Sequence, residues 1–135
     1  MIFKRKLLAA AAMLALSAGA QAQISGNVVK IGVLNDQSSL YADLSGQGSV
    51  LAARMAIEDF GAAKKGIKTE VIFVDHQNKA DVGSQIANKW YDAEGVDVIV
   101  DTPNSGVALA VNQITKDKKK AFLVSGAATA DLSGK

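Results

Sequence analysis

Small hydroxyl residues and glycines follow two apolar segments of this sequence, at positions 101–105 (DTPNS) and 125–129 (SGAAT). Such residues let a ligand approach backbone N–H groups, and Ser105 stands where a helix is predicted to begin. A helix N-terminus carries partial positive charge, so this position favours an anionic group. The alternative for Ser105 is a plain N-cap of the helix, which is the commoner role for such a serine.

The residue types needed for catalysis do not form a recognisable constellation. His76 is the single histidine, so any Ser–His–Asp triad would have to use it, and no G-x-S-x-G sequence supplies a nucleophile. The sequence has no cysteine, so a His/Cys metal cluster cannot form within it. Gly46-Gln47-Gly48 lacks the third glycine of a dinucleotide-binding loop. We therefore expect no catalytic residue, metal or cofactor, and we expect Asp75 and His76 to be polar groups at a cleft rim.

Short apolar segments alternate with amphipathic ones along the chain, which predicts the elements that hold these loops. The predicted strands are 28–34, 69–74, 96–100 and 121–124, and the predicted helices are 44–60, 80–92 and 106–117. The strands are nearly continuous apolar runs, as in sheets covered on both sides. The alternation therefore predicts an α/β fold, a parallel sheet with helices on both faces, of flavodoxin-like or Rossmann-like type. In such sheets, ligands bind beyond the carboxyl ends of the strands.

Residues 1–22 have the pattern of a secretory signal peptide. A basic start (Lys4, Arg5, Lys6) precedes ten apolar residues and the sequence Ala20-Gln21-Ala22. We expect cleavage after Ala22; the alternatives are cleavage after Ala20 and an uncleaved anchor, although ten residues fall well short of the roughly 20 that span a bilayer. The segment holds three of the 15 basic residues and none of the 13 acidic ones, which leaves the mature chain at −1. This charge removes the case for a nucleic-acid partner.

Several pieces of the sequence, in their order after the signal peptide, resemble the periplasmic solute-binding proteins of branched-chain amino acid (Leu/Ile/Val-type) ABC transporters. The pieces are VVKIGVL, the loop Tyr41-Ala42-Asp43, AIEDF, VDHQN, GVDVIVD and SGAATADLSG. The resemblance runs from about Val28 to the last residue. It implies a type I periplasmic binding fold, in which two α/β lobes close on a small molecule. Because members of that family are much longer, residues 23–135 are expected to be an incomplete N-terminal lobe.

The same resemblance implies a set of ligand-binding residues. Tyr41 corresponds to an aromatic residue that covers the ligand, and Ser105 to the serine that meets its carboxylate. Residues of the fourth loop would bind the carboxylate and amino groups. The complete implied set is Tyr41, Ser105, Gly106, Ala127, Ala128 and Thr129. Ser38-Ser39 and Ser125-Gly126-Ala127 replace Gly-Pro and Ser-Pro-Ala steps, which resembles a subgroup that takes up other small acids, including aromatic carboxylates.

The resemblance implies a binding protein with no enzymatic activity. It would be a periplasmic monomer that carries a small carboxylate or amino acid to an ABC permease in the inner membrane. Two alternatives stay open from the sequence. One is a sensory ligand-binding domain of the same fold, and the other is an exported enzyme of flavodoxin-like fold whose catalytic groups lie outside this sequence.

Overall fold

The computed structural model describes residues 26–133, so the predicted signal peptide lies outside the described residues. Strands and helices alternate along this part of the chain. The strands are β1 (Val29–Asn35), β2 (Thr69–Asp75), β3 (Val98–Asp101) and β4 (Ala121–Val124), and the helices are α1 (Gly46–Phe60), α2 (Ala80–Asp92) and α3 (Ser105–Asp117). Short 3-10 turns lie at Ala63–Lys65 and Ala130–Leu132. None of the helices within residues 26–133 is long and apolar enough to cross a membrane.

The four strands form one sheet in the order β2-β1-β3-β4, and all their pairings are parallel. Ile31 on β1 pairs with Val71 on one side and Val98 on the other. Because the strands are parallel, their carboxyl ends and the loops that follow them share one edge of the sheet. The predicted parallel α/β fold is confirmed.

Helices α2 and α3 pack together and close one face of the sheet. The buried cluster between them and the strands comprises Leu34, Ala87, Trp90, Tyr91, Val96, Ile99, Val107 and Val111. Two glycines make this packing possible. A Cβ on Gly32 would lie 2.5 Å from the Trp90 ring, and a Cβ on Gly83 would lie 2.5 Å from a Val107 methyl group. Trp90 of α2 and Val107 and Val111 of α3 are thus buried in this cluster, and Ile86 and Ile114 pack against it.

Helix α1 covers the other face only over β1 and β2. Its buried side includes Val50, but Phe60, which the helical spacing predicts on the same face, is 57% exposed. Leu123 on β4 is 62% exposed, and an apolar groove of about 620 Å³ separates α1 from that part of the sheet. Helices lie on both faces, as predicted, but one face is only half covered among the described residues.

Several helix and strand boundaries in the structure differ by one or two residues from those predicted. The first helix begins at Gly46 and not at 44, because residues 41–44 form a turn in which the N–H groups of Leu44 and Ser45 both donate to the Tyr41 carbonyl. The third strand begins at Val98 and not at 96. The Val96 N–H donates to the Trp90 carbonyl, so this buried residue closes the end of α2 before the strand starts.

Candidate ligand-binding site

Side-chain hydrogen bonds tie together the carboxyl ends of three strands. The amide nitrogen of Asn35, at the end of β1, donates to Asp101 Oδ2 at 3.2 Å and to the Gly46 carbonyl at 2.7 Å. Ser125, just after β4, donates from its hydroxyl to Asp101 Oδ1 at 2.8 Å. Asn35 and Asp101 are buried. The Asp101 carboxylate therefore fixes the first, third and fourth loops relative to one another.

Asp36 shapes the loop that carries Tyr41. Its buried carboxylate accepts hydrogen bonds from the Tyr41 N–H at 2.8 Å and from the N–H and hydroxyl of Ser39 at 3.0 and 2.6 Å. Burial raises the pKa of Asp36, but these bonds and one from the Ser38 N–H outweigh burial and lower the pKa below its usual 3.8. Asp36 is thus an anion that holds the backbone at Tyr41. Aspartate followed by serines two and three positions later is a known turn signal, which the sequence analysis missed.

Asp75, at the end of β2, holds the same loop from its other side. Its carboxylate accepts from the Gln37 N–H at 3.0 Å, from the Ser38 hydroxyl at 2.5 Å and from the Gln77 N–H at 2.7 Å. Burial and the nearby Asp36 charge raise the pKa of Asp75, but the three hydrogen bonds lower it further, so the net shift is downward. The first loop is therefore clamped between two ionised carboxylates.

The third loop begins with two residues in an uncommon backbone conformation. Asp101 and Thr102 have φ angles of 81° and 61°, and a positive φ is costly for a β-branched residue such as threonine, on the order of 1–3 kcal/mol. The buried Thr102 hydroxyl donates to the Leu34 carbonyl at 2.8 Å. This bond holds the turn that leads the chain from β3 to the start of α3.

Asn104, and not Ser105, caps α3. The Asn104 side-chain oxygen accepts from the Val107 N–H at 2.9 Å, and its carbonyl accepts from the Ala108 N–H at 2.8 Å. The interpretation of Ser105 as a plain N-cap is therefore wrong; Ser105 is the first helical residue. Among residues 26–133, the N–H groups of Ser105 and Gly106 and the Ser105 hydroxyl have no hydrogen-bond partner. The helix start thus presents three available donors.

The six residues implied by the resemblance lie at the same edge of the sheet, on three neighbouring loops. Tyr41 is half-buried on the first loop, and Ser105 and the exposed Gly106 begin α3. On the fourth loop Ala127 and Thr129 are half-buried and Ala128 is exposed. The structure shows no direct hydrogen bond among Tyr41, Ser105 and Thr129. Thr129 Oγ1 accepts from the Asp131 N–H at 3.3 Å and donates to the Asp131 carboxylate at 3.5 Å.

The fourth loop lies against the third. A Cβ on Gly126 would stand 3.2 Å from Pro103 Cα, so the absence of a side chain at 126 permits this approach. Helix α3 also contacts the 3-10 turn that follows the fourth loop. These contacts bring Ala127, Ala128 and Thr129 beside the start of α3.

His76 differs from the prediction that placed it at a cleft rim, because its side chain is fully buried. Its Nδ1 accepts from the Asn78 N–H at 2.9 Å, whereas Nε2 has no partner among the described residues. Burial lowers the pKa of His76 below its usual 6.5, although the charges of Asp36, Asp75 and Asp101 act in the opposite direction. The accepting Nδ1 places the proton of the neutral ring on Nε2.

No cationic side chain within residues 26–133 forms an ion pair with Asp36, Asp75 or Asp101 at this edge. Within residues 26–133, ion pairs form between Lys30 and Glu70, between Lys89 and Glu94 and between Lys118 and Asp92, toward the opposite edge of the sheet. A ligand anion would therefore meet N–H and hydroxyl dipoles here. Within the same described range, no group of three or more acidic, His or Cys side chains is arranged to hold a metal ion.

One cavity lies apart from the six implied residues. It is the apolar groove between α1 and the sheet, and none of the six implied residues lines it. Asp101 and Ser125 border its end, so the groove touches the residues that hold the loops together. The candidate site is accordingly a wall of loops and not an enclosed pocket.

Comparisons with known proteins identify the class to which this fold and these loops belong. The family described as periplasmic binding protein matches residues 28–135. This chain belongs to that family. No curated protein that was searched matches the chain.

Solved structures of transporter proteins are similar to this chain. A branched-chain amino acid ABC transporter periplasmic ligand-binding protein from Burkholderia xenovorans is 47% identical, with a TM-score of 0.75 over 78% of this chain and 28% of its own. A periplasmic binding protein from Burkholderia mallei is 44% identical, with a TM-score of 0.74 over 79% of this chain and 28% of its own.

A third similar structure is an ABC transporter solute-binding protein from Rhodopseudomonas palustris in complex with benzoate. It is 25% identical, with a TM-score of 0.67 over 74% of this chain and 28% of its own. This chain therefore spans somewhat over a quarter of the length of the solved relatives it matches.

Proposed function

We propose that this protein is the periplasmic substrate-binding component of an ABC importer. It binds a small carboxylate between two lobes and delivers it to a permease in the inner membrane. The main support for the proposal is found at the start of α3. There, two N–H groups and the Ser105 hydroxyl have no hydrogen-bond partner among residues 26–133. Three available donors at a helix N-terminus suit a carboxylate group.

The neighbouring loops support this proposal. The Thr129 hydroxyl and the backbone at Ala127 and Ala128 lie on the loop that contacts the third loop, and they supply further polar groups beside the same anion. Tyr41 lies on the next loop, on a backbone fixed by Asp36, and it provides an apolar ring to cover the ligand. Hydrogen-bonding dipoles without a cation are sufficient for one carboxylate, because charge-assisted hydrogen bonds are strong.

The ligand we propose is a branched-chain or related amino acid. The description of the Burkholderia xenovorans relative supports this class. The alternative is an aromatic carboxylate, which the benzoate complex of the Rhodopseudomonas palustris relative supports.

The remaining parts of the proposal concern the whole protein. Residues 1–22 serve as a cleaved signal peptide and 23–135 as part of the N-terminal lobe, so the mature protein would begin at Gln23 in the periplasm. A second lobe, as two-lobed closure requires, would complete the cleft and exclude water. The protein would act as a monomer, without enzymatic activity, cofactor or nucleic-acid partner.

A thermal-shift screen of the protein expressed from its complete gene tests this function. The panel contains L-leucine, L-isoleucine, L-valine, benzoate and aliphatic acids, with an uncharged amide of each as the control. Ligands that bind only the native state raise the melting temperature. A shift with the amino acids supports the first class, and a shift with benzoate alone supports the second. A cooperative melt that no acid shifts would overturn the proposal.

A further inference from the structure

Three hydrogen bonds connect the buried His76 to the start of α3. The Asn78 N–H donates to His76 Nδ1 at 2.9 Å. Asn104 Nδ2 donates to Asn78 Oδ1 at 2.6 Å, and Asn104 Oδ1 accepts from the Val107 N–H at 2.9 Å. The chain of contacts therefore runs from the end of β2 to the first turn of α3, across a gap of 26 residues in sequence.

The contact between the two asparagines fixes which way the Asn104 amide points. Its nitrogen must face Asn78 and its oxygen must face Val107, so both bonds require the same orientation. If the amide turned over, it would present its NH2 group to the Val107 N–H and lose the cap. The Asn78–Asn104 bond therefore helps to hold the cap, and with it the backbone at Ser105 and Gly106.

His76 in turn holds the turn that presents Asn78. Its imidazole is fully buried, close to Gly83 on α2, and its carbonyl accepts from the Lys79 N–H at 2.9 Å. Gln77 and Asn78 have positive φ angles of 53° and 57°, a conformation that needs local support. The accepting Nδ1 supplies that support at Asn78.

We propose that His76 is a positioning residue for the ligand, and that it acts through Asn78 and Asn104 to fix the three donors at Ser105 and Gly106. This inference rests on the proposed function. His76 is not among the six residues implied by the resemblance, and it would act without contacting the ligand. It also makes binding depend on pH, because a protonated Nδ1 donates and cannot accept from the Asn78 N–H.

The charged groups that influence the protonation of the His76 imidazole lie at the ends of three strands. Asp36, Asp75 and Asp101 act on it with negative charge from the ends of β1, β2 and β3, whereas α2 places Gly83 beside it and Val107 of α3 packs against Gly83. The carboxylates favour protonation, but burial outweighs them. Proton uptake therefore occurs below pH 6.5 and breaks the bond to Asn78.

The test uses the protein expressed from its complete gene, with L-isoleucine and benzoate as probes in titration calorimetry. Asn78→Gly removes the amide that accepts from Asn104 but tolerates the positive φ. Gln77→Gly is the matched control, because it lies in the same turn at a similar φ and is exposed. We expect about 3- to 10-fold weaker binding for Asn78→Gly, the range for one hydrogen bond, and no change for Gln77→Gly.

His76→Asn supplies the pH readout. An asparagine oxygen can accept from the Asn78 N–H near the position of Nδ1 and does not titrate, so binding should be retained at pH 7. Wild-type affinity should fall as the pH drops below 6.5, and the fall should be smaller in His76→Asn. Wild-type affinity in Asn78→Gly, or equal pH slopes in wild type and His76→Asn, would overturn the positioning role.

A measurement without ligand separates this proposal from the proposed function. Amide exchange of Val107 and Ala108 in the free protein should be faster in Asn78→Gly than in Gln77→Gly, because the cap is loosened. Unchanged exchange would overturn the proposal even if no probe binds the wild type. If Ser105→Ala weakens binding and Asn78→Gly does not, the proposed function stands and the positioning role fails.

Discussion

The six-membered ring of Trp90 occupies the space where any side chain at Gly32 would stand. A Cβ at position 32 would lie 2.5 Å from one ring carbon and 2.6 Å from the next. Gly32 lies in the middle of β1, and the indole belongs to the buried cluster beneath α2 and α3. A glycine in a central strand, which normally weakens a sheet, is here the condition for packing the largest core side chain.

Gly32→Ala should therefore destabilise the protein by about 1–3 kcal/mol, because the ring cannot move without disturbing a packed core. Gly48→Ala is the matched control. Gly48 lies in α1 with nothing within 4 Å of a Cβ, so alanine should be neutral or stabilise by up to about 1 kcal/mol. Urea denaturation followed by circular dichroism measures both. Equal stabilities of the two variants would contradict the packing described here.

Asp36→Asn should destabilise the protein by about 2–3 kcal/mol, because bonds to a buried carboxylate are strong and the new NH2 group faces N–H donors. Asp43→Asn, an exposed change in the same loop, should have little effect. Hydrogen exchange of residues 38–45 should also rise in Asp36→Asn only. The role of Asp36 would be refuted if both variants exchanged at the same rate.

Acid should destabilise the protein in a window set by Asp36 and Asp75. The pKa values of both groups are lower in the folded state than their usual 3.8. The unfolded chain therefore binds more protons below that value, and stability is complete above pH 3.8 and lost as pH falls through the folded pKa values. Unfolding free energies measured from pH 5 to 2.5 test this. Asp36→Asn should flatten the decline, and an unchanged decline would assign it to other groups.

Thr102→Val should cost about 1–3 kcal/mol, because it keeps the shape but leaves the buried Leu34 carbonyl without its hydroxyl donor. Thr69→Val on β2 is the control. No hydrogen bond of the Thr69 side chain occurs within the described residues, and valine suits a strand. Thermal denaturation distinguishes the two variants. A neutral Thr102→Val would mean that the positive φ at this residue does not depend on the bond.

Ser105→Ala and Thr129→Ala should each weaken carboxylate binding by about 10- to 150-fold in the complete protein, which corresponds to about 1.5–3 kcal/mol for a hydrogen bond to a charged group. Ser84→Ala on the exposed side of α2 serves as the control. Titration calorimetry with the acid found in the screen gives the affinities. Unchanged affinity in both variants would refute the assignment of these residues to the site.

Much of the fold could be predicted because its signals are local. Val107, Val111 and Ile114 have helical spacing in the sequence, and in the structure all three pack in or against the core cluster. The choice of cap at α3 could not be predicted in the same way. Asn104 and Ser105 are adjacent and both residue types are good N-caps, and the structure favours Asn104, whose amide also bonds to Asn78, far away in the sequence.

The predictions for Phe60 and His76 were wrong because the burial of a side chain depends on contacts with segments that are distant in the sequence. The helical spacing of α1 predicts Phe60 on a buried face, yet no described segment covers that part of the groove. His76 follows a strand, where polar residues usually face a cleft, but it is fully buried beside Gly83 of α2. The Asp36 turn, by contrast, is a local pattern, and Ser38 and Ser39 were sufficient to predict it.

The order of the strands in the sheet implies that the candidate site forms late in folding. The loops at 35–45, 101–106 and 125–129 become neighbours only through the pairings of β1, β3 and β4, and β4 is the last of these strands along the chain and lies at the sheet border. Contacts between such distant segments form slowly, because the chain must close large loops first. Ligand binding would therefore report on the docking of β4, and a peptide that contains any single loop should have no measurable affinity.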